Sequence, residues 1–355
     1  MTKQDIVRRS IRGAAEGDSR REGLSRRRAL ALCGGLGGSL AALTLLPGSL
    51  VRAQVRGDQF VFGSASLGST GYVIIEALST IVNRHTDLQT SSQSTSGGAE
   101  NIALIGRDLL DFGQSTSVDL VPASRGSAPY QAPIDVRQMF CYTTFALPPI
   151  VKADSEVARF EDLVGKRVAP GTSGGTTAQS WRLMFDTAGM TEGVRFTYGS
   201  WREVYDQFAA GRVDCIPAIL TNLRPAPIVQ ELTTNTAIRA VSFPDAVIEK
   251  AQAANPGIMR FDVTPETWPA ISEPCVGTGS SGILAAHAGV DHETAYAITQ
   301  AVFENASDLY QIADALRSVT LESATRYLVA GVPVNAGAAQ YFKEQGVWRD
   351  DLTEA

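Results

Sequence analysis

Residues 168–181 read VAPGTSGGTTAQSW. An extended segment stops at Pro170, a turn of Gly, Ser and Thr follows, and the next residues have helical spacing. A turn of this kind between strand and helix can cradle phosphates, expose a nucleophilic serine, or aim backbone N–H groups at a ligand. The phosphate-loop pattern needs a Lys beside its second Gly, and residues 171–181 contain none. Gly171-Thr172-Ser173-Gly174-Gly175 matches the G-x-S-x-G elbow of serine hydrolases, and His287 and His292 follow in a permitted order. Against the elbow, Pro170 stands directly before the turn, and the ILAAHAGVD context of His287 carries no loop signature. The third use remains: an anion-binding turn.

Two earlier turns share its chemistry, Gly68-Ser69-Thr70-Gly71-Tyr72 and Ser96-Gly97-Gly98-Ala99-Glu100-Asn101. All three join an extended segment to a helical one, are rich in Gly and hydroxyls, and lack a basic residue. Glycine lets a ligand approach the backbone closely. The first N–H groups of a helix are unpaired and carry partial positive charge, which suits carboxylates and phosphates. In open α/β sheets ligands sit beyond the carboxyl ends of strands, where such turns lie. Strands and helices alternate along the chain, which predicts an α/β fold with mainly parallel sheets.

The first 53 residues read differently. An Arg-rich stretch precedes the apolar SRRRALALCGGLGGSLAALTLLPG, and VRAQ ends in small-residue positions at Val51 and Ala53. This is the layout of a cleaved export signal, which predicts processing near Ala53 and a periplasmic location. Ser25-Arg26-Arg27 with Leu30 resembles a twin-arginine signal, although Ala29 stands where Phe is usual, so the general secretory route stays open. The whole chain has 31 Lys+Arg against 37 Asp+Glu, and without residues 1–53 the balance is 21 against 33, a net charge of −12. So acidic a protein does not bind nucleic acid or anionic lipid non-specifically. Cys141, Cys215 and Cys275 have apolar neighbours and read as buried thiols forming at most one disulfide; no Cys/His pair has zinc-ligand spacing. No metal or cofactor is expected.

Six stretches occur in order: FGSASLGSTGYVIIEALS, STSGGAENIALI, LLDFGQSTS, DLVGKRVAPGTSGGTTAQ, AAGRVDC and VPVNAGAAQYFKEQG. Together they resemble the TAXI family, the extracytoplasmic solute receptors of a class of TRAP transporters. The family's C-terminal turn usually has His and Pro where this chain has Asn335 and Ala336. The resemblance implies an α/β, two-lobed periplasmic binding protein fold of the type II kind, with the ligand cleft between the lobes and hinge strands crossing. One lobe is expected at 54–147 plus 274–355 and the other at 148–273. It implies a non-enzymatic monomer that captures a small organic acid, such as a glutamate-, dicarboxylate- or oxoacid-like anion, and delivers it to a TRAP membrane subunit. An ABC-type binding protein would share the fold and differ in its partner; a secreted hydrolase would use Ser173.

Within this frame the turn at 171–177 is the expected anion cradle, with hydroxyls from Thr172, Ser173, Thr176 and Thr177. Thr70 and Tyr72 are expected to contribute from the opposite lobe, Asn101 to donate its amide, and Gln114 and Ser115 to line the cleft. Trp201 and Tyr198 are candidate aromatic walls, and Trp268 a candidate cleft residue or packing group. Arg182, Arg202 and Arg224 lie outside the turns and could be brought near by the fold.

Overall fold

The computed structural model describes residues 59–67 and 69–355; the expected export signal and its cleavage site lie outside them. Strands β1 (Gln59–Gly63), β2 (Gln89–Gln93) and β3 (Phe112–Thr116) are parallel neighbours in the order β2-β1-β3. Each leads into a helix: α1 (Thr70–His85), α2 (Gly98–Ile105) and α3 (Ser117–Arg125). Helix α1 forms because Ile74, Ile75, Leu78, Ile81 and Val82 recur at three- and four-residue spacing and are all buried. Ser69 caps its start by accepting from the Tyr72 N–H.

Two long strands organise the rest. β4 (Val136–Leu147) and β13 (Cys275–His287) run antiparallel from the Val136–His287 pair to the Leu147–Thr278 pair. On its other side β13 pairs with β3 over Gly282–Ala286 and with β12 (Met259–Val263) over Cys275–Gly279. The same two strands therefore belong to the β1–β3 region at one end and to a different set of partners at the other. β9 (Leu220–Thr221) and β10 (Arg224–Pro225) extend the sheet beyond β4. The ladder of β4 ends at Pro148-Pro149, since proline has no N–H to donate. β5 (Pro149–Lys152) restarts in a separate sheet between β8 (Ile216–Pro217) and β11 (Ile238–Ala240), and β6 (Arg167–Val168) and β7 (Arg195–Phe196) form a parallel pair of their own.

The apolar residues sort into separate cores. The first is built from positions 62–142 and 283–352 and includes Phe62, Phe112, Phe140, Phe303 and Phe342. The other two are built from positions 146–275 together with Val118: one around Phe208, Ile216 and Trp268, the other around Phe160, Trp181, Phe185 and Phe243. β4 with β5, β13, and the first turn of α3 connect these cores. The protein is thus an α/β molecule of two lobes, but its sheets are not mainly parallel as expected: β4, β5 and β13 all pair antiparallel with their neighbours. The remaining helices cover the sheets, namely α4 (Thr176–Thr187), α5 (Trp201–Ala209), α6 (Pro227–Asn235), α7 (Asp245–Ala254), α8 (His292–Glu304), α9 (Ala306–Ile312), α10 (Leu321–Arg326) and α11 (Ala336–Glu344). Cys141, Cys215 and Cys275 are free, buried thiols; burial pushes Cys141 up to about 12 and Cys275 to about 11, and raises Cys215 as well. Among the described residues no helix is long and apolar enough to cross a membrane.

The C-terminal segment is fastened to β4 by one buried side chain. Gln138 donates to the Val329 and Val332 carbonyls at 2.9 and 2.8 Å and accepts from the Val329 N–H at 2.9 Å. Gln138→Met keeps the volume and orphans these backbone groups at roughly 1–3 kcal/mol each. We predict a melting temperature lowered by several degrees, measured by differential scanning calorimetry; an unchanged value would contradict this role.

Candidate functional site

The register of the main sheet decides which side chains share a face. Cross-strand partners point the same way. Thr278 pairs with Leu147, Gly282 with Thr143, and Ser280 with Phe145, which pairs in turn with Thr221. On the other side of β13, Gly282 pairs with Thr116 and Leu284 with Gln114. The register slips between Gly282 and Ile283, leaving Tyr142 as an extra residue in β4. A Cβ placed on Gly282 would meet the rings of Tyr142 and Phe145, so both rings lie over this face. One face therefore carries Gln114, Thr116, Tyr142, Thr143, Phe145, Leu147, Thr221, Thr278, Ser280 and Leu284.

This face is polar, buried and under-bonded. Gln114, Thr143, Thr221 and Thr278 are each at most 7% exposed. Gln114 Oε1 and the hydroxyls of the three threonines have no partner within the protein. These are four of the eight buried side-chain polar atoms left unpaired among the described residues. Buried polar groups are nearly always hydrogen-bonded, so such a concentration on one face calls for an explanation.

The three turns meet at this face. A Cβ on Gly71 would lie 3.5 Å from Gln114 Cγ and Cδ, and one on Gly97 would lie 3.6 Å from Gln114 Oε1. Gly97 has φ 113° and caps α2 without a side-chain hydrogen bond, a backbone shape that favours glycine. Beside it, a side chain on Gly98 would collide with the carboxylate of Asp119. Thr176, the first residue of α4, donates its hydroxyl to Asp119 Oδ1 and Oδ2 at 2.8 and 2.9 Å. Asp119 lies on α3 and also accepts from the Thr116 N–H at 3.2 Å and the Thr116 hydroxyl at 2.8 Å. The starts of α1, α2, α3 and α4 thus converge around Gln114 and Asp119. The Gly171 turn is completed by Trp201, whose ring would lie 3.0 Å from a Cβ on Gly171.

Asp119 is the ionisable group that the sequence reading passed over. Its place three residues after Thr116 is that of an ordinary helix-capping carboxylate, and nothing in STSVDLVPAS marks it for the cleft. The structure buries it to 2% exposure. Burial raises its carboxyl to about 6, opposed by the hydrogen bonds from Thr176 and Thr116. Tyr130 and Tyr142 are close enough for its charge to help raise their phenols further. The orphan threonines were equally hidden, since β-branched residues are what a strand is expected to hold.

The expected site residues are placed as follows. The hydroxyl of Thr176 is engaged by Asp119. The Asn101 amide donates to the Gly63, Ser64 and Gln114 carbonyls at 3.2, 2.7 and 2.8 Å, fastening the ends of β1 and β3 together. Ser115 pairs with Ile283 and so points to the face opposite Gln114, because side chains alternate along a strand. Trp268 is 1% exposed in a core. Arg182 donates to Tyr198 at 3.0 Å, Arg202 pairs with Glu231 at 2.9 Å and Arg224 with Asp314 at 3.7 Å. Thr70 and Tyr72 are half-buried at the start of α1, Thr172 and Thr177 half-buried in the 171–177 turn, and Ser173 exposed there. His287 pairs with Asp108 and accepts from the Gly289 N–H, His85 faces Asp308, and His292 stacks on Tyr296. None of the three is bonded to Ser173, as a hydrolase would require.

The pH dependence of stability follows from Asp119. Its carboxyl holds a proton more tightly folded than unfolded, so the folded state is favoured below the ordinary value of 3.8 and loses that advantage as pH rises through about 6. Asp119→Asn removes the buried charge and keeps the shape. We predict that it melts higher than wild type at pH 7.5, with the difference shrinking between pH 6 and 4. A variant that melts lower throughout would mean that the ionised carboxylate stabilises the fold.

The sequence matches the NMT1-like family over residues 62–346. No curated protein matches it significantly. Among solved structures, the periplasmic aliphatic sulphonate binding protein SsuA of Escherichia coli is similar, with 14% identity, coverage of 81% of this chain and 79% of that one, and a TM-score of 0.45. The binding protein component of an ABC phosphonate transporter of Pseudomonas aeruginosa is similar at 13% identity, 73% and 78% coverage and a TM-score of 0.46. The match of residues 62–346 spans most of the chain, and the protein belongs to the NMT1-like family.

Proposed function

We propose that this protein is an exported solute receptor that holds one small molecule between its two lobes and hands it to a membrane transporter. The carrying observation is the set of four unpaired, buried polar atoms on the sheet face where the helix starts converge. An empty binding floor has this chemistry, because its groups are paired only when a solute is present. The units that open and close would be the expected lobes, 54–147 plus 274–355 and 148–273, hinged where β4 and β13 cross.

Backbone N–H groups at the starts of α1, α2 and α4 and the ring of Trp201 would complete the walls, with Thr70, Tyr72, Thr172, Ser173 and Thr177 at the rim. The TRAP-type partner rests on the resemblance to the TAXI family alone, while the family shown is the NMT1-like one. An ABC-type transporter is therefore the partner we favour, and the neighbouring membrane-subunit gene distinguishes the two. The organic-acid ligand rests on that resemblance and on the three helix-start turns, and the carboxylate of Asp119 beside the α4 turn weighs against it.

A solute at a hundredfold excess over its dissociation constant stabilises the folded state by about 2.7 kcal/mol, which for a chain of this size raises melting by roughly 4 °C. A thermal-shift screen on refolded protein should find such a solute. Thr143→Val and Thr278→Val should each raise the melting temperature of ligand-free protein by removing an orphan hydroxyl, yet weaken the solute by about 2–10-fold. Variants that change neither quantity would contradict the receptor reading, as would ester hydrolysis by wild type that Ser173→Ala abolishes.

A further inference from the structure

The receptor reading leaves the charge of the solute open, and this inference rests on that reading. We propose that Asp119 sets the ligand class: the solute presents a protonated amine or guanidinium to the Asp119 carboxylate, and carboxylates are excluded.

Three observations carry this. The first is the partner list of the carboxylate. It is 2% exposed and is held by the Thr116 N–H, the Thr116 hydroxyl and the Thr176 hydroxyl, with no cation among them. Buried charges in proteins are normally paired. The positive ends of α3 and α4 offset part of the cost here, and Oδ1 accepts only from Thr176. The second is the company of the site. Gln114 Oε1 is unpaired and turned toward the start of α2, where Gly98 abuts Asp119. An unpaired amide oxygen beside a carboxylate is an acceptor pair, and it matches a ligand with several N–H donors. Thr143, Thr221 and Thr278 offer neutral hydroxyls on the same face. The third is where the cations are. Arg182, Arg202 and Arg224, and Arg167 with Asp214, all have partners elsewhere.

Thr176 and Asp119 belong to different lobes, so opening the lobes separates them and presents the carboxylate to the cleft. An entering ammonium or guanidinium donates to Oδ1 and to Gln114 Oε1 as the lobes close. A ligand carboxylate at the α4 turn would instead meet a like charge at ~4 Å, disfavoured on the order of a hundred- to a thousandfold. The net charge of −12 that remains without residues 1–53 draws cations toward the protein and repels anions.

The test is a calorimetric and thermal-shift titration of refolded protein with two probe sets: putrescine, agmatine and L-arginine on one side, succinate and glutarate on the other. We expect stabilisation from the amine set only, and Asp119→Asn to bind the best amine about 10–150-fold more weakly without a lower melting temperature. Should that variant not fold, wild-type protein answers through pH. Amine affinity should fall below about pH 6 as Asp119 takes up a proton, since the phenols of Tyr130 and Tyr142 beside it are raised and stay neutral there. Stabilisation by succinate or glutarate alone, or an Asp119→Asn protein that binds the amine as tightly as wild type, overturns the inference and leaves the receptor reading standing. No stabilisation by either set, with normal melting of the refolded protein, counts against both.

Discussion

The antiparallel pairing of β4 with β13 is the constraint on which everything else depends. It is the one ladder that runs from the first core to the others, and it can do so because β13 changes partners half-way, from β12 to β3. Its lobe-crossing segment is also the floor of the candidate site. A strand that must pair on both sides cannot move its backbone, so chemistry there has to come from side chains. Hydroxyls of Thr143, Thr221 and Thr278 are short, neutral and compatible with a strand. They supply polarity without disturbing the ladder.

The second link between the lobes is the first turn of α3. Ser117 donates to the Gly257 carbonyl at 2.6 Å, the Asn255 amide donates to the Val118 carbonyl at 3.0 Å, and Val118 packs in a core otherwise built from Val151 onward. Asp119 completes the turn by accepting from Thr176. Three consecutive residues of one lobe thus hold the other by a hydroxyl, a carbonyl and a carboxylate. The first bond is made to a backbone carbonyl and the second to a side-chain amide. The third ends on Thr176, the first residue of α4.

The alternation of strands and helices was visible in the sequence because helical spacing in TGYVIIEALSTIVNRH and β-branched runs have different periods. The three Gly-rich turns were visible too, since glycine and hydroxyls before a helix are a local signal. Their meeting at Gln114 was not, because it depends on the order β2-β1-β3-β13-β4, which joins strands far apart in the chain. Ser115 shows the same limit at its smallest: a neighbour of Gln114 in sequence, it lies on the other face once the strand pairs. That Thr176 meets Asp119, 57 positions away, is likewise not legible in the sequence. The signal that could have found the floor is the recurrence of hydroxyls at alternate positions in CVGTGSSG, where Thr278 and Ser280 share a face within an otherwise buried strand.

The central claim is that the unpaired polar face of the main sheet is where a solute sits. A crystal structure of the protein purified from its native host, without refolding, tests this most directly. The account predicts a small molecule between the lobes, within hydrogen-bonding distance of Gln114 Oε1 and of at least one hydroxyl of Thr143, Thr221 or Thr278. A molecule bound elsewhere, with those four groups still without partners, would contradict it.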